Sequence, residues 1–431
     1  MSGPSSPDGT PKPRDGGRGE RRRGLEMGLR PVPGLGALTA APATDERLVD
    51  RIRAEIAEGG PMTFARFMEL ALYDPEAGYY AADETTGGPG RQGDFLTAPE
   101  GHPIFGWAIA RQLQEVWDRL GRPSRFIVRE HGAGSGALAA GILGGLRRAG
   151  SALLDAIRYQ AIEISDARLG RLRARLQSDG LLGYIDSASS EPAAGAVLAN
   201  ELLDALPVHR VLGSPTGDPR GPLLEQFVDA APDGALTIVA AEPSRPELAA
   251  RLATEGVDLA PGQVAEVCLA IDDWLARAAA PLGRGLVLLI DYGAPAATLY
   301  EPSRGSTLRT YHRHGVHDDP LIGIGRQDMT AHVDLTAVER AAATAGLERL
   351  GSTTQARFLD QLGLGELLVA LQSDPGATLE SYLAARSAVV RMLDPRATGG
   401  FAVLGFGRGL AADPPLRGFG PDPAPKRDAS R

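Results

Sequence analysis

The sequence is nearly without cysteine. Cys268 is the single one among 431 residues, so no intramolecular disulfide can form and no disulfide framework supports the fold. This suits a reducing compartment, and a cytoplasmic location is the expectation. Cys268 lies in the amphipathic stretch Val264 to Leu269, which reads as packing rather than as a nucleophile. Long apolar runs are missing too: none approaches the roughly 20 residues that span a bilayer. The first 40 residues hold no signal-peptide core, only Arg21, Arg22 and Arg23 among acids, prolines and glycines, and Met27 is a second candidate start. Positive charge is not in excess. Lys plus Arg is 45 against Asp plus Glu 54, a net charge of −9. Phosphate contacts need clustered cations, so a nucleic-acid carrier is disfavoured, while a basic protein segment stays open as a partner.

What is present is enough for a large core: 43% of residues are hydrophobic, and the length allows one domain with insertions or two domains. Residues 1–43 cannot bury enough apolar surface to order themselves. Residues 44–120 read as a helical region, with Asp45 as N-cap, a break at Gly59-Gly60-Pro61 and a glycine-rich loop over 83–93. A core over 121–300 alternates strands and helices. Strands are predicted at 125–130, 183–185, 195–200 and 286–293, with a further one ending at 161–164, and such alternation implies a parallel sheet with both faces covered. The expected fold class is therefore α/β, a Rossmann-like sheet with an N-terminal helical extension. An insertion over about 209–250 carries a β-hairpin around Pro232-Asp233-Gly234, and a helix is predicted over 263–279. Residues 301–410 mix helices and short strands as an α+β part, and 411–431 read as a proline-rich disordered tail.

The chemistry starts at Glu130-His131-Gly132-Ala133-Gly134-Ser135-Gly136, which follows a strand and opens a helix. Gly132, Gly134 and Gly136 let the backbone turn tightly and approach a ligand closely. Glu163 ends the next strand, 27 residues after Gly136, where a carboxylate can accept both ribose hydroxyls of a nucleoside. Ala137 and Ala139 satisfy the sixth place of a dinucleotide fingerprint, so this pair of features leaves a nicotinamide cofactor open. Asn200, Glu201 and Asp204 then follow the strand over 195–200, three polar groups among apolar ones at the sheet's ligand-binding edge. His312, His314 and His317 cluster near Asp318 and Asp319, but in no established zinc spacing, and no metal is assigned.

The stretch Asn200-Glu201-Leu202-Leu203-Asp204-Ala205-Leu206-Pro207-Val208 resembles the Asn-Glu-x-x-Asp-Ala-x-Pro-Val signature of the MidA-like family of class I S-adenosylmethionine-dependent methyltransferases, which includes the mitochondrial complex I assembly-factor methyltransferases. Gly93-Asp94-Phe95-Leu96-Thr97-Ala98-Pro99-Glu100, the turn Tyr73 to Tyr80, Glu163-Ile164-Ser165 with Leu169, Ile290 to Gly293, Asp328 to Asp334 and Thr353 to Leu359 are similar to further family segments, in order, over about 45–405. His131 and Ala133 depart from the family's Glu-Leu-Gly-Pro-Gly-x-Gly. The resemblance implies a class I methyltransferase sheet, S-adenosylmethionine as cofactor, and an arginine side chain of a partner protein as methyl acceptor. It implies Glu130, Gly132, Gly134, Gly136, Glu163 and Asn200 as cofactor-binding residues. Asp94, Glu201 and Asp204 are then expected at the acceptor, with Glu100 and Asp291 as further candidates. A homodimer is an additional expectation. Two other readings stay open: a binding factor that kept the fold without activity, and a nicotinamide oxidoreductase.

Overall fold

The computed structural model describes residues 43–81, 97–214, 221–312, 315–374 and 376–421. Six strands build the central sheet: β1 (Phe126–His131), β2 (Ile157–Ile162), β3 (Ala193–Asn200), β4 (Leu282–Asp291), β5 (Glu348–Thr354) and β6 (Ala402–Arg408). Their order is β5-β6-β4-β3-β1-β2. The run from β2 through β1 and β3 to β4 is parallel, and β6 lies antiparallel to both β4 and β5. Buried parallel strands must be apolar on both faces, and β4 shows how. Leu286, Leu288 and Ile290 join one core layer, while the alternate residues Val287 and Leu289 join the other. Helices Ile104–Arg119 and Ala137–Arg148 contribute to the first layer, and Ala270–Ala279 and Leu335–Thr344 to the second. The first helix pair approaches so closely that a Cβ on Gly106 would lie 2.6 Å from the Gly141 backbone. The α/β class with helices on both faces is thus observed.

A second sheet of five strands joins the N-terminal helices to the insertion. It contains Met62–Thr63, His209–Leu212, Leu224–Ala230, Leu236–Ala241 and Val264–Val267. The hairpin around Gly234 is present, with Phe227 opposite Val239 on one side and Thr63 on the other. Helices Glu46–Gly59 and Phe64–Tyr73 pack on this sheet. Asp45 caps the first, accepting the Arg47 N–H at 3.1 Å.

Three expectations are corrected. The helix predicted from 263 starts at Ala270, because Val264–Val267 pairs with His209–Leu212 as an edge of the second sheet. The strand predicted at 183–185 is a single tight turn, Leu182–Tyr184, leaving one bridge between Tyr159 and Ile185. The tail does not begin at 411: Leu416 is buried, Gly418 N–H donates to the Gln112 side chain at 3.0 Å, and Phe419 packs on Phe358. The segments 1–42 and 422–431, the loop over 83–93 and Asp94 lie outside the described residues. No helix among the described residues is long and apolar enough to cross a membrane.

The chain leaves β1, pairs β2 on one side and then crosses back to place β3 on the other. At such a reversal the connections diverge and open a crevice above the carboxyl ends of the strands. The glycine turn follows β1, Glu163 follows β2, and Asn200 ends β3, so all three meet at this crevice.

Candidate active site

The crevice holds a cavity of about 300 Å³. The glycine turn forms its floor. Gly132, Gly134 and Gly136 have φ of +69°, +52° and +79°, a region side chains rarely enter. Space adds a second reason at two of them. A Cβ on Gly132 would lie 2.7 Å from Leu202 Cδ1, and one on Gly136 would lie 2.6 Å from Leu172 Cγ.

Glu163 does two things at once. It lines the cavity, and its carboxylate holds the turn: Oε2 accepts the Gly134 N–H at 2.9 Å, while Oε1 accepts those of Ile164 and Ser165 at 2.9 and 3.1 Å. Ser165 in turn caps the helix Asp166–Ser178.

Glu130 is buried at the end of β1 and lines the same space. The Tyr159 hydroxyl donates to its Oε2 at 2.6 Å. Burial pushes its pKa up to about 8, against the pull of Tyr159, with Glu163 and Glu100 adding a smaller push. No cation of the chain pairs with it among the described residues. His131, next along the strand, packs edge-on against Trp274 at 5.5 Å. Its Nε2 has no partner, and burial pushes its pKa down to about 4, so the imidazole is neutral at pH 7.

Asn200, also on the cavity wall, donates from Nδ2 to Glu201 Oε1 at 2.9 Å, leaving its buried Oδ1 without a partner. Glu201 adopts φ +51°, strained for a non-glycine residue. Burial first, then Asp204, pushes its pKa up to about 8. Asp204 is buried behind this wall, not on it. Burial and the neighbouring Asp291 and Asp328 raise its pKa well above the ordinary value, while the Tyr292 hydroxyl holds it down. Asp291 supports the backbone here. Its Oδ2 accepts the N–H groups of Leu202, Leu203 and Asp204 at 3.1, 2.8 and 3.2 Å, which shapes the turn after Glu201. Glu100 also reaches the cavity, accepting the Ser135 hydroxyl and pairing with Arg175 at 3.3 Å. Asp94 lies outside the described residues.

Four wall residues have no mark of their own in the linear pattern: Tyr73, Tyr80, Arg168 and Trp274. The two tyrosines fall within a turn that resembles the family, which is the one available signal. Arg168 sits in a run of surface-like charges, and Trp274 on a helix face.

The chemistry of these walls fits a positively charged nucleoside. Buried carboxyls without cations suit a sulfonium and an ammonium. The glycine turn and Glu163 suit a ribose, and Asn200 Oδ1 and His131 Nε2 are orphaned on residues that line the cavity.

Comparison with known proteins agrees. Residues 108–353 match the model of a family of S-adenosyl-L-methionine-dependent methyltransferases. A COG1565 superfamily member from Burkholderia thailandensis, crystallised with S-adenosyl-homocysteine, superposes with a TM-score of 0.78 at 34% identity, over 88% of this chain and 98% of that one. Curated relatives include the protein arginine methyltransferase NDUFAF7 of Mus musculus, 28% identical over 78% of this chain and 79% of its own. The NDUFAF7 homolog of Drosophila melanogaster is 29% identical over 73% and 74%. These relatives are named mitochondrial, which overturns the cytoplasmic expectation drawn from the lone cysteine. The nicotinamide reading falls as well, and the cofactor is S-adenosylmethionine. The chain belongs to the MidA-like family of class I S-adenosylmethionine-dependent methyltransferases.

Proposed function

We propose that this methyltransferase modifies a guanidinium nitrogen of an arginine in a partner protein, with Glu201 at the acceptor. The observation that carries the reading is Glu201 itself: an acid on the cavity wall, in strained backbone, with Asp204 close behind it. The names of the curated relatives as protein arginine methyltransferases support the acceptor class.

The bound cofactor supplies a methyl on a sulfonium, a leaving group that needs no further activation. The protein's share is to align, desolvate and handle one proton. A guanidinium stays charged near pH 7 and its lone pairs are delocalised, so it is a weak nucleophile. Glu201 ionises when a cation arrives beside it and grips the guanidinium through charge-assisted hydrogen bonds. Glu201 lines the cavity from a strained backbone, and Asn200 Nδ2 fixes one of its oxygens. As the N–C bond forms and the S–C bond breaks, one N–H proton leaves the acceptor, and the Glu201 carboxylate receives it. Asp204 acts through Glu201 by raising its proton affinity. Asp94 keeps its proposed place near the acceptor on the family resemblance alone. Glu130 holds the cofactor's positive charge, and Gly132, Gly134, Gly136, Glu163 and Asn200 hold the rest of it.

The test uses methyl-labelled S-adenosylmethionine, the full chain and an extract of cells lacking this protein. A labelled protein band with wild type and none with Glu201→Gln supports the reading. Equal labelling by both removes Glu201 from the acceptor site.

A further inference from the structure

Arg168 is 7% exposed and lines the cofactor cavity, yet its guanidinium makes no hydrogen bond or ion pair with any described residue. The guanidinium rests on the face of the Tyr80 ring, 4.9 Å from the centroid. Two other buried arginines each find hydrogen-bond acceptors, although Arg129 keeps Nε and Nη1 without a partner. Arg251, 6% exposed, pairs with Asp272 and donates to the Cys268 carbonyl at 3.2 Å. Arg129, 1% exposed, donates to the carbonyls of Ser189 and Glu191 at 3.3 and 3.0 Å. A buried cation without an anion is costly, and a cation–π contact offsets only part of that.

The position adds to the charge. Arg168 stands in the first turn of helix Asp166–Ser178, its N–H taken by the N-cap Ser165 at 3.4 Å. The positive end of the helix dipole thus lies at the backbone that carries this side chain. Tyr80 is held from two sides, by a hydroxyl bond to Asp328 at 3.0 Å and by Tyr73 stacked at 5.4 Å, so the face that seats Arg168 is fixed. The cavity therefore has two poles on different elements. Glu130, at the end of β1, calls for a cation; Arg168, on the helix after β2, calls for an anion.

We propose that Arg168 binds the α-carboxylate of the cofactor's methionine end. This rests on the cavity being the S-adenosylmethionine site. That carboxylate is the one anionic group the cofactor carries, and the planar guanidinium matches it with two parallel N–H donors. Glu130 is left to the positive groups. Arg168 is thus a specificity-determining residue: it separates a nucleoside with an intact amino-acid end from one without.

Calorimetric titration of the full chain tests this with three probes: S-adenosylhomocysteine, S-adenosyl-3-thiopropylamine, which lacks only the carboxylate, and 5′-methylthioadenosine, which lacks the amino-acid end. Wild type is expected to bind the first at least about tenfold more tightly than the second. Arg168→Gln is expected to bind those two equally, with thiopropylamine and methylthioadenosine affinities unchanged; the latter also shows that the variant is folded. Arg168→Lys keeps the charge without the fork and is expected to restore part of the preference. The proposal is overturned if Arg168→Gln or Arg168→Lys retains the full wild-type preference. It is equally overturned if Arg168→Gln weakens all three probes alike, which is what a packing role through Tyr80 would produce. Failure of all three to bind wild type would instead overturn the cofactor site itself, and this proposal with it.

Discussion

Glu163 accepts the Gly134 N–H at 2.9 Å, so the acid that follows β2 holds the glycine turn that follows β1. With Glu163 as the proposed ribose acceptor, cofactor recognition and turn geometry are coupled through one carboxylate. A ligand hydroxyl that approaches Glu163 meets an acceptor already oriented by three backbone N–H groups.

Replacing Glu163 by alanine removes those three acceptor contacts together with the proposed ribose acceptor. Hydrogen bonds to a charged group contribute about 1.5–3 kcal/mol each. S-adenosylhomocysteine affinity is expected to fall by at least about a hundredfold, with a lower melting temperature, while Glu163→Gln loses less because its amide oxygen still accepts. Calorimetry and thermal melts of both variants check this.

The three turn glycines are expected to differ in sensitivity. Gly134→Ala meets nothing closer than 3.9 Å, so its cost is the left-handed backbone, about 1 kcal/mol. Gly136→Ala carries the same strain and also drives a Cβ to 3.2 Å from the Leu172 backbone and 2.6 Å from its Cγ. Its melting temperature is expected to fall further than that of Gly134→Ala. An equal loss would mean that helix Asp166–Ser178 yields freely there.

The pH dependence has a defined sign. Glu130 has its pKa pushed from 4.5 up to about 8 in the folded protein. Between those values the folded state keeps a proton that the unfolded chain has released. Stability therefore falls as pH rises through that window, and the full cost is present above about 8. Glu130→Gln removes this cost. The ligand-free variant is expected to melt near wild type at about pH 5 and above it at about pH 8.5, by differential scanning calorimetry.

With Glu130 at the proposed cation pole, cofactor binding is expected to reverse that equilibrium, because a cation beside a carboxyl favours its ionised form. Titrating S-adenosylmethionine near pH 7 in buffers of different ionisation enthalpy is expected to reveal proton release in wild type and less in Glu130→Gln. Heats independent of buffer would show that Glu130 does not meet the positive charge.

Glu201→Gln is expected to keep S-adenosylhomocysteine affinity within a few-fold while single-turnover methyl transfer falls by about a hundredfold or more, the usual scale for losing a general base. Parallel loss of binding and transfer would make Glu201 a cofactor residue.

The central strands, the glycine turn and Glu163 are legible in the sequence because each has a local cause. β4 carries the continuous apolar run 286–290, and the turn is three glycines in five residues, all at positive φ. Local periodicity misleads over 263–269 because Val264–Val267 is decided by its edge pairing to His209–Leu212, more than fifty residues away. Leu182–Tyr184 is too short for any period to form. Composition misleads at the tail: Gly418 is held by contacts with Gln112 and Phe358 that no proline count reveals. At the site, Glu201 and Asp204 are visible as a motif. Their different stations, one on the wall and one behind it, follow from the turn that Asp291 shapes across the sheet. Arg168 is invisible in the sequence, since its isolation depends on what the fold withholds from it.

The most direct test of arginine methylation is amino-acid analysis of the acceptor protein after transfer of a labelled methyl group. Acid hydrolysis of the labelled band is expected to yield methylated arginine as the labelled residue, with none formed by Glu201→Gln. Label on lysine, histidine or a carboxyl group, or methylated arginine formed equally by that variant, would contradict the account.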